Sequence, residues 1–242
     1  MFPFERRGLR VLMYHRTALE KTDALTVTPL QLDQQLGWLR DKEFTFVSIA
    51  DVLNFLEKRT SLPPRPVLVT FDDALRDTFE LARPVLQRLQ VCAAVFVPTA
   101  FVGGRAGWDA DAPPLMSVNQ LAELAASGWE LALHSHRHRS YAELSPKEIG
   151  DDLRENFAAF RAWNLRPAPA FAFPYGHRPR DSARRVAMQS ALRDAGVRLA
   201  FRIGNRINPL PLRGPFEINR LGIRGDESFG AFQRKIRWGR LL

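Results

Sequence analysis

Cysteine is nearly absent: Cys92 stands alone among 242 residues, so no internal disulfide can form. It falls in the apolar run 91–97, where a packed core thiol is the expectation. No apolar run approaches the ~20 residues needed to span a bilayer as a helix. The first eight residues carry no apolar segment of the secretory type. The expectation is a cytoplasmic or membrane-peripheral protein, or an exported one whose leader has been removed. There is no zinc-finger spacing, no aromatic RNA-recognition signature and no long basic tail. The net charge of +9 is spread along the chain, so nucleic acid is not an expected partner. The same charge leaves peripheral contact with an anionic membrane surface open.

Strand-like and helix-like segments alternate through the whole length. Strands are predicted at 10–14, 44–47, 67–71, 91–97, 129–133, 170–173, 198–203 and 216–219. Between them, Thr28-Pro29 reads as a cap with proline at the first helical position, and Ser145-Pro146-Lys147-Glu148 as a capping box. Helices are predicted at 49–56, 79–89 despite Pro84, 117–126, 145–163, 182–195 and from 228 onward. This order predicts an α/β protein with a parallel sheet, closed or doubly wound.

Several residues suited to chemistry lie just after predicted strands, where α/β sites gather. Residues 67–71 run directly into Asp72 and Asp73. Residues 129–133 run into His134-Ser135-His136-Arg137-His138. Two imidazoles four residues apart and one carboxylate leave coordination positions open, the layout of a catalytic rather than a structural metal site. The expected ligands are Asp73, His134 and His138, with His136 pointing elsewhere. Zinc suits this set, and cobalt, nickel, manganese and iron share its ligand types. Asp72, next to a ligand yet not needed by the metal, is the expected general base for water attack on an ester or amide. A third stretch, Phe171-Ala172-Phe173-Pro174-Tyr175-Gly176-His177, reads either as a plain turn or as a loop turning a backbone N–H toward an oxyanion. His15 either lines the pocket or packs at its edge. Trp108, in a glycine-rich loop, reads as a sugar-stacking platform or as a core or lid residue.

Thr70-Phe71-Asp72-Asp73, His134-Ser135-x-x-His138 and Phe173-Pro174-Tyr175-Gly176, in that order, resemble the motifs of the polysaccharide deacetylases, carbohydrate esterase family four. The similarity extends over about residues 10–225 and lies nearer the poly-N-acetylglucosamine deacetylase-like members. It implies a single catalytic domain built as a distorted (β/α) barrel, often seven-stranded. It also implies a divalent metal, usually zinc, and removal of N- or O-acetyl groups from an acetylated carbohydrate. By this resemblance Asp72 is the base, Asp73, His134 and His138 hold the metal, and the Tyr175 N–H helps hold the oxyanion. His15, Pro174 and His177 are expected toward substrate, with an exposed loop position as the other reading of His177.

The chain departs from the family pattern in three places. Ala172 stands where many members carry an arginine that orients the base. The late histidine that serves many members as general acid is missing, since all five histidines lie at or before residue 177. The task then falls to His15, to His177, to a chain of metal-bound water, or to no efficient group. Ala74 replaces the usual glycine after the second aspartate. Two other functions stay open on sequence: a deformylase or deacetylase of lipid- or nucleotide-linked sugars, and a carbohydrate-binding protein of weak activity.

Overall fold

Hydrophobic strands joined by capped helices close on themselves. The structure, a computed structural model, describes residues 7–20 and 22–239. Most of the N-terminal stretch read for a leader, residues 1–6, lies outside the described residues. In chain order the elements are β1 (Arg10–Tyr14), β2 (Arg16–Thr17), β3 (Thr26–Val27), α1 (Pro29–Asp41), β4 (Thr45–Phe46), α2 (Ile49–Leu56) and β5 (Pro66–Phe71). A short π-helix (Thr78–Ala82) leads into α3 (Arg83–Arg88). Then come β6 (Ala94–Val97), α4 (Val118–Ala126), β7 (Glu130–Leu133), α5 (Pro146–Ala162) and β8 (Ala170–Ala172). The chain continues through α6 (Ser182–Asp194), β9 (Leu199–Ile203), β10 (Ile218–Gly222) and α7 (Phe229–Trp238).

β1 pairs in parallel with both β5 and β10, which closes the seven strands β1 and β5 to β10 into a barrel. The doubly wound alternative is thereby excluded. The barrel is irregular. β4 adds only to the first residues of β5, and a loop at 204–217 replaces the helix between β9 and β10. Among the described residues no helix is long and apolar enough to cross a membrane.

Local chemistry sets the helix starts. Thr28, Ser48, Ser117 and Ser145 each cap a helix through a reciprocal capping box. Each satisfies two otherwise orphaned backbone donors, and such a cap is worth about 1 kcal/mol. Pro84 falls where the π-helix passes into α3, so its missing N–H interrupts the bonding at that junction rather than inside a regular helix.

Strand parity then decides which residues enter the barrel, because successive side chains face opposite ways. Leu9, Val11, Leu68, Phe96, Ala132, Ala172, Phe201 and Ile218 pack together as the interior. Leu12, Val69, Val95, Val97 and Leu133 face the surrounding helices. Counting forward by twos from interior positions gives His15 after Val11, Asp72 after Leu68, His134 after Ala132 and Arg220 after Ile218. These four side chains are therefore delivered to one end of the barrel, the carboxyl end of its strands.

Two sequence expectations are corrected here. Cys92 is exposed rather than packed, because the strand begins at Ala94 and the cysteine precedes it. The last strand runs Ile218–Gly222, not 216–219. This shift puts Arg220 inside a strand.

Candidate active site

The two adjacent aspartates part company at the end of β5. Asp72 continues the strand parity into the barrel, and its N–H still donates to the Tyr14 carbonyl at 2.9 Å. Asp73 adopts φ +70° and turns away. Asp72 meets Arg220, fully buried on β10. The guanidinium Nη1 and Nη2 donate to the two carboxylate oxygens at 2.5 and 2.7 Å, a bidentate fork. His15 Nε2 lies 3.7 Å from Asp72 Oδ2 on the other side. Burial by itself would raise the Asp72 pKa. The charges of Arg220, His134 and His15 outweigh it, and the carboxyl lies below its ordinary value.

Asp73 Oδ1 faces His134 Nε2 at 3.4 Å and His138 Nε2 at 3.2 Å. One ligand atom from each of the three residues lies within 4.8 Å of the other two. The tautomers sharpen the point. His134 Nδ1 sits 2.9 Å from the Ala172 carbonyl, which can only accept, so that nitrogen carries the proton. A neutral His134 then directs the Nε2 lone pair at a carboxylate oxygen. Asp73 Oδ1 is itself buried without a hydrogen-bond partner. Acceptors converging on an unpaired buried oxygen require a positive charge between them, either a proton or a metal cation. Burial opposes charge on Asp73, yet the two imidazoles hold its carboxyl well below the usual range. Burial likewise disfavours charge on both histidines. The two aspartates overcome it at His134, whose pKa is raised, while His138 remains lowered.

The histidine loop is shaped by a residue that sequence reading passed over. Asp152 of α5 is buried and accepts from Ser135 Oγ (2.9 Å), the His136 N–H (3.0 Å) and Tyr141 Oη (2.8 Å). Ser135 Oγ in turn accepts the Arg139 N–H at 3.1 Å. These bonds hold Ser135 and His138 in left-handed conformations, φ +62° and +52°. Each such non-glycine residue costs roughly 1–2 kcal/mol, so the loop needs this anchor. His136 turns away to Thr99 Oγ1 (2.9 Å) and Glu155 (3.6 Å). Replacing Asp152 by alanine is expected to strand three buried donors and to destabilise the chain by about 2–4 kcal/mol in urea unfolding. Metal affinity should fall about 10–100-fold alongside. Asp152→Asn, which keeps one acceptor oxygen, should lie between.

Around His138, Trp108 stacks on the ring at 3.9 Å between centroids and Tyr175 Oη lies 3.2 Å from Nδ1. Trp108 thus supports an imidazole on one face. Its loop is tied down by Arg16, whose Nη1 reaches Asp111 at 3.4 Å and Asp109 at 3.8 Å. Tyr175 is exposed, with φ +59°. Gly176 and His177 donate back to Phe173 and Pro174, and the Tyr175 N–H has no acceptor among the described residues. Pro174 is buried beneath this turn. His177 is exposed on the rim with its ring 5.7 Å from that of Tyr175. Of the two histidines considered as acid, His15 is therefore the one brought to Asp72.

A profile of the family described as Polysaccharide deacetylase matches residues 59–198. The chain belongs to the polysaccharide deacetylase family. A poly-beta-1,6-N-acetyl-D-glucosamine N-deacetylase of Staphylococcus aureus (strain MRSA252) is 24% identical over 177 residues, which cover 69% of this chain and 60% of that protein. The chain thus spans about three fifths of the length of this curated relative. Among solved structures, IcaB from Ammonifex degensii superposes with a TM-score of 0.79 at 23% identity, covering 97% of this chain and 98% of that one. The Streptococcus pyogenes deacetylase PplD, solved in complex with acetate, gives a TM-score of 0.78 at 20% identity, covering 96% and 99%. These likenesses agree with the seven-stranded barrel.

Family membership makes the departures concrete. The arginine missing at Ala172 has a counterpart in Arg220, which reaches the same carboxylate from another strand. Ala74 sits buried at φ +50°, a conformation that glycine would adopt at lower cost.

Proposed function

We propose that this polysaccharide deacetylase removes N-acetyl groups from a carbohydrate by metal-dependent hydrolysis. The observation that carries the reading is a buried carboxylate, Asp72, clamped by Arg220 beside the convergent Asp73, His134 and His138. Zinc is the proposed metal, since one carboxylate and two imidazoles suit it. Bound there, a divalent cation would polarise the acyl carbonyl and acidify a water molecule.

The chain's own groups do the rest. Arg220 keeps Asp72 ionised and fixes the direction of its free lone pairs, and Asp72 takes a proton from the attacking water. The Tyr175 N–H donates to the oxygen on which negative charge develops. Water adds to the acyl carbon and the carbon–nitrogen bond breaks. The departing nitrogen takes a proton, which His15 is placed to supply, and acetate leaves. The activity for which the staphylococcal relatives are named supports N-acetylglucosamine polymers as the substrate class.

Acetate release from a β-1,6-linked N-acetylglucosamine oligomer tests this reading. Release should be seen with the purified protein, stop on addition of a chelator and return with zinc. Release that is indifferent to chelation would contradict the metal assignment, and no release from any N-acetylated sugar would contradict the activity.

A further inference from the structure

A cavity of about 440 Å³ opens at the barrel mouth on the β1 and β10 side, and His15 forms part of its wall. The candidate metal ligands come instead from the ends of β5 and β7. The cavity therefore adjoins the proposed reaction centre through His15, whose Nε2 lies 3.7 Å from Asp72 Oδ2, and its other walls are residues that the hydrolysis does not use. Its volume is in the range of small-molecule sites. Met13, Ile223 and Ala231 give it an apolar floor.

The polar wall carries three cationic side chains, Arg224, Arg234 and Lys235, and two of them are engaged by carboxylates. Arg224 forks onto Asp226 at 2.8 and 2.6 Å. Lys235 is held by Glu227 at 2.6 and 2.7 Å and by the Gly222 carbonyl at 2.6 Å. Arg234, one turn along α7, is exposed and has no carboxylate partner among the described residues. Asn205 uses its Oδ1 to accept the Gly222 N–H at 2.9 Å, so what it can offer a ligand is a donor. The wall therefore presents one guanidinium that no carboxylate engages, and a neutral donor, around an apolar floor next to His15.

We propose that this cavity is a subsite for a negatively charged substituent, a phosphodiester or a carboxylate, on the sugar being deacetylated or its neighbour, with Arg234 reading the charge. The proposal rests on the deacetylase reading above and goes beyond it by assigning an acidic class of substrate. An exposed cation contributes modestly, so the expected discrimination is about five- to ten-fold rather than orders of magnitude.

The test compares kcat/KM for acetate release from three soluble probes: neutral N-acetylglucosamine oligomer, N-acetylglucosamine carrying a methyl phosphodiester, and N-acetylglucosamine carrying an ether-linked carboxylate. Binding of the same probes is followed by ligand-observed NMR, which needs no turnover. The wild type should favour one or both anionic probes, and which of them is favoured identifies the substituent. Arg234→Glu should abolish the preference through KM, while Arg234→Lys should largely keep it. Equal use and equal binding of all three probes, or a preference untouched by Arg234→Glu, would overturn the subsite while leaving deacetylation standing. Preferential binding of anionic probes with no acetate release from any would instead overturn the deacetylase reading.

Discussion

Arg220→Leu is expected to lower the stability of the folded chain by about 3–5 kcal/mol, because it leaves the Asp72 carboxylate buried without its counter-charge. Asp72 is 2% exposed and Arg220 fully buried, so water cannot replace the lost fork. The pH dependence should weaken. In the wild type Asp72 sits below its ordinary value of 3.8. The pair therefore stabilises the fold above that pH, and the contribution is lost as acid protonates the folded carboxyl. In the variant, burial is opposed only by His134 and His15, so the carboxyl rises from its wild-type position. Its protonation then costs the folded state less, so the deficit against wild type shrinks as pH falls. Urea unfolding at several pH values reads both trends. A merely structural arginine would leave the acid limb of the activity profile in place, whereas a residue that positions Asp72 should move that limb upward when removed. Arg220→Lys keeps the charge without the fork and should restore stability in part but not the geometry.

Asp72→Asn is expected to cut acetate release by about 10²–10⁴, mostly in kcat, which is the span of general-base assistance. The side chain keeps its shape and can still accept one bond from Arg220, so substrate affinity should change little. Thermal melts and circular dichroism establish that the variant is folded at the assay temperature. Metal content should stay near that of the wild type, since Asp72 is not among the three converging residues. A variant that is folded, carries metal and turns over normally would remove Asp72 from the reaction.

Much of this was legible in the chain because parity and punctuation are local. Residues 67–71 are apolar or β-branched and end in two carboxylates, so both a buried strand and its chemically active tip could be read. The cap with its proline at Thr28-Pro29 and the capping box at Ser145 marked helix starts in the same way. Closure of the sheet was not legible from the residues alone, since β1 must meet both β5 and β10, and pairings so distant leave no local trace. Arg220 was missed for a related reason. With the last strand read as ending at Asn219, the arginine fell into a loop. The signal was its spacing of two from Ile218, which marks an interior position once the strand is extended. Asp152 also left a trace: it lies with Ile149, Leu153, Asn156 and Phe160 on the buried face of α5, and a carboxylate on an apolar helix face calls for a partner. That the partner is the histidine loop, sixteen residues back in the chain, could be seen only in three dimensions. The exposure of Cys92 turned on where β6 begins, and strand boundaries are the least determined feature of an apolar run.

The most direct measurement is metal stoichiometry by equilibrium dialysis and elemental analysis on the folded wild type, Asp73→Ala and His138→Ala, with zinc as the probe. One tightly held zinc per wild-type chain, and close to none in either variant, is the predicted result. Stoichiometric zinc that survives both substitutions, or a wild type that retains none, would contradict a cation centre at Asp73, His134 and His138.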